Sequence, residues 1–225
     1  MAIRQILPLG DQALLIYCDD ESAALRVAGG VRKANWPWLV DVVPAYASVG
    51  IFFDLRRIVF KEAAAAIQAL SWDAEPAVET GTLHVVPCCY EKGLDLARVA
   101  QQTGLSTSDV IRLHSSTVYT VCAIGFCPGF PYLGYLSQEL SGVPRLATPR
   151  VRVEAGSVGL TGRQTGIYTE ARPGGWNIVG QTPLVMVDVA DGYFPLRTGD
   201  RVQFQPINLG KFEELRGLRL VVRSP

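Results

Sequence analysis

Arg145, Arg150, Arg152, Arg163 and Arg172 crowd one short segment that holds no lysine and only Glu154 and Glu170 as acids. A guanidinium group offers carboxylates and phosphates a planar, two-pronged donor, so this composition points to anion recognition. If Val151 and Val153 face a core, the two-residue period of a strand puts Arg150 and Arg152 together on the opposite face. The plain alternative is a solvated surface strand. Gln164, Thr165 and Tyr168 follow closely and bring neutral donors and acceptors of the kind that would recognise a lactam or a carboxylate edge. Gly156-Ser-Val-Gly-Leu-Thr-Gly162 lacks both the spacing and the lysine of a phosphate loop. Its backbone could form an anion-binding nest or simply a tight turn between strands.

His114 is one of two histidines in the chain. Placed at the expected end of a helix, it either caps that end as an imidazolium or serves as a general acid or base. Phe130 lies within Gly125-Phe-Cys-Pro-Gly-Phe-Pro-Tyr-Leu-Gly134, where glycines and prolines fix backbone bends and aromatic faces are presented. That block reads as a rigid turn, as a ligand-lining loop, or as each at different residues. Cys127 has no evident base beside it and reads as packing. No pair of carboxylates stands at helical or strand spacing, so a two-acid hydrolytic mechanism finds no support.

These residues need a scaffold, and the composition supplies one. The chain has 225 residues, 48% hydrophobic and 19% charged, enough to bury a core of its own. Basic and acidic side chains number 21 each, which removes any global field toward nucleic acid or anionic lipid. Residues 1–80 carry seven basic and ten acidic side chains and residues 81–225 fourteen and eleven, so anion binding belongs in the second part. Five cysteines without a CxxC pair suggest reduced, buried thiols rather than a disulfide framework or a zinc site. No signal-like or membrane-spanning apolar run is present, and a cytoplasmic protein is expected.

The pattern along the chain predicts two domains. Residues 1–76 read as an α+β sandwich: short strands at 3–7 and 13–17, a helix beginning at 19–22 with Ala24, Val27, Ala28 and Val31 on one face, extended runs at 39–43 and 46–54, and a helix over 60–70. The acidic stretch from Ser71 to Gly81, with Pro76, marks the boundary. Residues 82–225 open with a strand at 83–90 and a helix at 94–103 ending on Gly104. Ser106 and Asp109 then form a capping box for a helix running to about His114. Beyond Val118 helical periodicity gives way to short apolar runs between glycine and proline clusters, which predicts a barrel or sandwich.

Four blocks together, Gly125–Gly134, Leu146-Ala-Thr-Pro-Arg150, Ala155–Tyr168 and Pro173-Gly-Gly-Trp-Asn-Ile-Val-Gly-Gln-Thr-Pro183, resemble the family that contains the 5-oxoprolinase B subunit (PxpB), also called allophanate hydrolase subunit 1, and the KipI-like inhibitors of a sporulation kinase. Weaker likeness extends to Gly10-Asp-Gln-Ala-Leu-Leu15, Val86-Pro-Cys-Cys-Tyr90, Leu94–Ala100 and Ile111–Ser115, nearly the full length. Glu154 stands where the family usually has proline, and Arg163 where glycine is common. The resemblance implies an α+β N-terminal domain plus a mainly-β, cyclophilin-like barrel as the C-terminal domain. It implies a non-autonomous subunit of an ATP-dependent 5-oxoprolinase, opening 5-oxo-L-proline to L-glutamate with ATP and Mg²⁺ in an assembly with subunits A and C. Alternatives within the family are a regulatory inhibitor of a sensor histidine kinase and a urea- or allophanate-processing accessory. On this reading the candidate catalytic residues are His114 and Arg150, the candidate substrate contacts are Phe130, Arg152, Gln164, Thr165 and Tyr168, and no metal ligands are assigned. The glycine- and arginine-rich barrel end is expected to be an unfinished pocket that a second chain closes.

Overall fold

The computed structural model describes residues 3–70 and 81–220, and the expected boundary at 71–80 lies outside them. The chain divides into two compact units, Met1–Thr80 and Gly81–Pro225.

In the first unit, β1 (Ile3–Pro8), β2 (Ala13–Cys18), β3 (Leu39–Ala45) and β4 (Ser48–Phe53) form an antiparallel sheet in the order β1-β2-β4-β3. Strand alternation sends Leu14, Ile16, Val49 and Ile51 to one face, where they meet Ala24, Val27 and Val31 of α1 (Glu21–Ala34) and Ala63 and Ile67 of α2 (Phe60–Gln68). The extended run expected to stop before Pro44 continues through it, with Pro44 opposite Val49. Strand β3 lies at the sheet edge, where a missing N–H need not break a ladder. Asp20 caps α1 by accepting the Ala23 N–H at 2.7 Å. Asp20→Ala should cost about 1 kcal/mol, read as an earlier urea midpoint at unchanged slope.

The second unit is built on seven strands: β5 (Leu83–Cys88), β6 (Val118–Ile124), β7 (Pro131–Gly134), β9 (Ser157–Thr161), β10 (Gln164–Ile167), β12 (Asn177–Gln181) and β13 (Arg201–Pro206), with β8 (Arg150–Val153) and β11 (Arg172–Gly174) outside that sheet. Their order is β12-β9-β10-β7-β6-β13-β5, antiparallel except for the parallel pair β13 and β5. A bridge between Cys89 and Gln181 ties the two edges, so the mixed sheet curls into a nearly closed barrel. Val86, Tyr119, Val121, Leu133, Leu160 and Phe204 fill its interior. Helices α3 (Leu96–Thr103) and α4 (Thr107–Ser116) precede β6, and Ser106 accepts the Asp109 N–H at 3.1 Å, the cap that the sequence shows. The five cysteines are buried, and none is in a disulfide.

Two expectations need correction. A fifth helix, α5 (Leu209–Leu215), follows β13, although no apolar stripe announces it; it is capped by Asn208 and buries only Phe212. Val151 and Val153 do not share a core face either, since Val151 is 90% exposed and Val153 3%. Strand β8 pairs with β11 in a two-stranded flap rather than with the barrel. No described helix is long and apolar enough to cross a membrane.

Candidate functional site

Strand alternation decides first which of the predicted residues can meet. Val158, Leu160 and Ile167 belong to the barrel interior, so Thr165 also points inward, whereas Gln164 and Gly166 point outward. Gln164 and Thr165 therefore do not line one surface, contrary to the expectation from their adjacency.

Inside the barrel, His114 is fully buried. Its Nε2 lies 2.9 Å from Thr165 Oγ1, and that hydroxyl donates to the Gly159 carbonyl at 2.9 Å. The threonine proton being committed, Nε2 carries the imidazole hydrogen, and Nδ1 accepts the Tyr90 hydroxyl at 2.7 Å. The ring also stacks on Phe204 at 4.7 Å. Burial holds the imidazole pKa down to about 3 and pushes the Tyr90 phenol well above its ordinary value. A neutral, sealed imidazole with both nitrogens occupied cannot reach a substrate. The structure thus replaces the expected general acid or base with a core relay: Tyr90 to His114 to Thr165 to Gly159.

The arginines of the 145–172 segment do not converge. Arg150 grips Asp95 with two bonds, Nη1 to Oδ2 at 2.9 Å and Nη2 to Oδ1 at 2.7 Å. Arg152 is exposed and taken by Glu154, and Arg172 by Glu170. Arg163 lies over the Tyr135 ring at 4.5 Å. Arg150 and Arg152 therefore act on the protein's own carboxylates, and the expected anion pocket of clustered guanidinium groups is not formed. Arg145 alone of the five has neither a carboxylate nor an aromatic ring as a direct partner among the described residues.

The outer wall of the barrel carries the concentrated feature of the unit. Phe130, Tyr168, Trp176, Ile178, Val153 and Cys127 form a second, smaller core there, with half-buried Tyr132 against it. Edge-to-face contacts join Phe130 to Tyr132 at 5.0 Å, to Tyr168 at 5.3 Å and to Trp176 at 5.5 Å. The rings lie this close to the sheet because Gly166 leaves room: a Cβ there would stand 3.0 Å from both Phe130 Cζ and Trp176 Cζ3. The turn before Phe130 is rigid, with the Phe130 N–H bonded to the Cys127 carbonyl at 3.1 Å. Cys127 packs against Thr169, without a base. Phe126, at φ 67° and 59% exposed, holds its ring edge-on to Phe130 in the open.

Of the predicted contacts, Phe130 and Tyr168 are thus brought together, as buried members of one aromatic layer. Arg152, Gln164 and Thr165 are not brought to it as a group. Sequence reasoning missed Asp95, which sits after Gly93-Leu94 as the residue before α3. It also gave Arg145 no mark over the other four arginines. Only the three-dimensional pairing separates them.

An antiparallel-rich barrel with a flap over an aromatic outer wall, joined in one chain to a four-stranded α+β unit, defines the class, and the family model for the carboxyltransferase domain, subdomain C and D, matches residues 4–194. The chain belongs to the family of the 5-oxoprolinase B subunit. It is 33% identical to the 5-oxoprolinase B subunit of Bacillus subtilis (strain 168), covering 92% of this chain and 95% of that one. It is 40% identical to that of Escherichia coli O157:H7, over 78% and 81%. Among solved structures, TTHA0988 superimposes with a TM-score of 0.73 at 36% identity over 84% of this chain, which spans only 37% of that protein. The urea carboxylase of Kluyveromyces lactis shares the fold, with a TM-score of 0.71 at 17% identity over 96% of this chain and 24% of its own length.

Proposed function

We propose that the chain is the B subunit of an ATP-dependent 5-oxoprolinase, opening 5-oxo-L-proline to L-glutamate together with subunits A and C, and that its barrel is cyclophilin-like. The observation that carries this is kinship along almost the whole length of relatives that bear that subunit's name. The geometry supports a dependent role. The buried histidine is sealed, three of the arginines are neutralised within the chain, and the outer aromatic layer is only a platform. ATP and Mg²⁺ would belong to the assembled enzyme: among the described residues no three His, Cys, Asp or Glu side chains gather to hold a metal ion, and the sequence has no phosphate-loop lysine.

Co-expression with neighbouring gene products should yield a complex whose ATP hydrolysis depends on 5-oxoproline, while the purified chain alone stays at background. Robust activity of the chain alone, or an assembled complex indifferent to 5-oxoproline, would remove this reading. The kinase-inhibitor alternative would instead return a histidine kinase as the stable partner, and the urea-processing alternative a complex stimulated by urea or allophanate.

A further inference from the structure

We infer that Arg145, with the Tyr132 face of the outer aromatic layer, forms a recognition site for a small, flat, ring-bearing carboxylic acid, the class to which 5-oxoproline belongs. The choice of that acid, and so the site as tested, rests on the function proposed above.

Position comes first. The backbone on either side of Arg145 is pinned to the segment around Trp176, between β11 and the start of β12. Asn177 donates to the Pro144 carbonyl at 2.9 Å, and the Leu146 N–H bonds to the Gly175 carbonyl at 2.8 Å. Residues 175 and 177 flank Trp176, whose ring is 5.8 Å from that of Tyr132. The backbone of Arg145, an exposed residue, is thereby held beside Trp176, while Tyr132 is the half-buried member of the aromatic layer. Electrostatics agrees with the placement. Burial raises the Tyr132 phenol and Arg145 opposes that shift; for Tyr168 burial is again the main cause, opposed by a backbone hydrogen bond with Trp176 and then by Arg145. The Arg145 guanidinium is thus within electrostatic reach of both rings, and that of Arg150 reaches Tyr168 more weakly.

Chemistry then narrows the ligand. An unpaired guanidinium near the half-buried Tyr132 ring favours a carboxylate that it can grip with two bonds while a planar ring lies on that tyrosine. Phosphate esters would call for more positive charge than this. The neighbouring arginines cannot supply it, because Arg150 is committed to Asp95 and Arg172 to Glu170. Gln164 of β10, which also faces outward, is neutral.

The test is a binding titration by calorimetry and ligand-observed NMR. It uses the full chain and the full chain co-purified with its partners, with 5-oxo-L-proline and 2-pyrrolidinone as probes, the latter being the same ring without the carboxylate. The acid should bind saturably to at least one of the two preparations. Arg145→Gln should weaken it about tenfold to a hundredfold, the loss expected when a charge-assisted contact goes, while Arg172→Gln leaves it unchanged. Pyrrolidinone should bind at least tenfold more weakly and be indifferent to Arg145→Gln. Unchanged melting of the variant, expected for an exposed side chain, guards against misfolding as the cause. Binding that ignores the Arg145 change, equal binding of the neutral ring, or no binding to either preparation overturns the site. Binding through Arg145 in a complex without 5-oxoproline-dependent ATP hydrolysis would leave the site standing and remove the proposed function. ATP hydrolysis unaltered in KM by Arg145→Gln would do the reverse.

Discussion

Asp95→Ala is expected to destabilise the second unit by about 3 kcal/mol, because it removes one partner of a largely buried ion pair and leaves the other behind. The Asp95 side chain is 8% exposed and that of Arg150 28%. One carboxylate organises three elements. Its Oδ2 accepts the Ile178 N–H of β12 at 2.7 Å and Arg150 Nη1 of β8 at 2.9 Å, and the residue itself stands at the start of α3, with its carbonyl accepting the Val99 N–H at 2.9 Å. Truncation strands the buried Ile178 amide and the guanidinium together, which costs more than a neutral hydrogen bond does. Arg150→Met should cost a similar amount, about 3 kcal/mol, since it leaves the more deeply buried carboxylate with the Ile178 N–H as its remaining side-chain contact. The double variant should be more stable than the sum of the two losses predicts. Urea unfolding of the four proteins measures this. Strict additivity would show that the pair does not act as a unit. Arg150 then holds the flap to the barrel, and its loss should affect assembly or binding only through that flap.

That pair also shows where the sequence stops being informative. Arg152 with Glu154 and Arg172 with Glu170 are two residues apart, so their mutual neutralisation is visible in the chain as written. Arg150 and Asp95 are 55 positions apart, and nothing local announces their meeting. Local signals elsewhere were sufficient. The Ser106 cap, the α1 stripe and the β1–β2 hairpin all rest on contacts within a few residues, and each is found where the pattern places it. Alternation is legible too, but not its sense. The run Arg150-Val-Arg-Val153 has the period of a barrel strand and yet lies in a flap, because burial on one side is decided by which strand pairs with it. Likewise Gln164 and Thr165 look like one recognition group in sequence and are separated by the thickness of the barrel wall. Helix α5 was illegible for the opposite reason. With only Phe212 buried and Gly210 within it, it carries too little periodic signal to be distinguished from a loop.

His114 yields the other large effect, and its pH dependence separates a core histidine from a surface one. Replacing it with alanine opens a cavity beside Phe204, removes the Nδ1 acceptor of the Tyr90 hydroxyl and takes the Nε2 donor from Thr165 Oγ1, which keeps its bond to the Gly159 carbonyl, so a loss of about 3–5 kcal/mol is expected. His114→Gln can accept from Tyr90 and donate to Thr165, and should lose less. The two forms of the imidazole behave differently with pH. In the unfolded chain a histidine takes up a proton below about pH 6.5. In the folded protein burial depresses that pKa to about 3, so the native state refuses the proton. The contribution of His114 is therefore fully present above about pH 6.5 and is lost as pH falls from there toward 3, at about 1.4 kcal/mol per pH unit. Between pH 6.5 and 5 the protein should lose about 2 kcal/mol more than His114→Gln does over the same interval. Urea midpoints at half-unit steps measure the difference. Parallel curves for the two proteins would mean that the folded imidazole takes up its proton as readily as the unfolded one. The hydrogen-bond relay through the barrel would then have to be reassigned to a ring open to water.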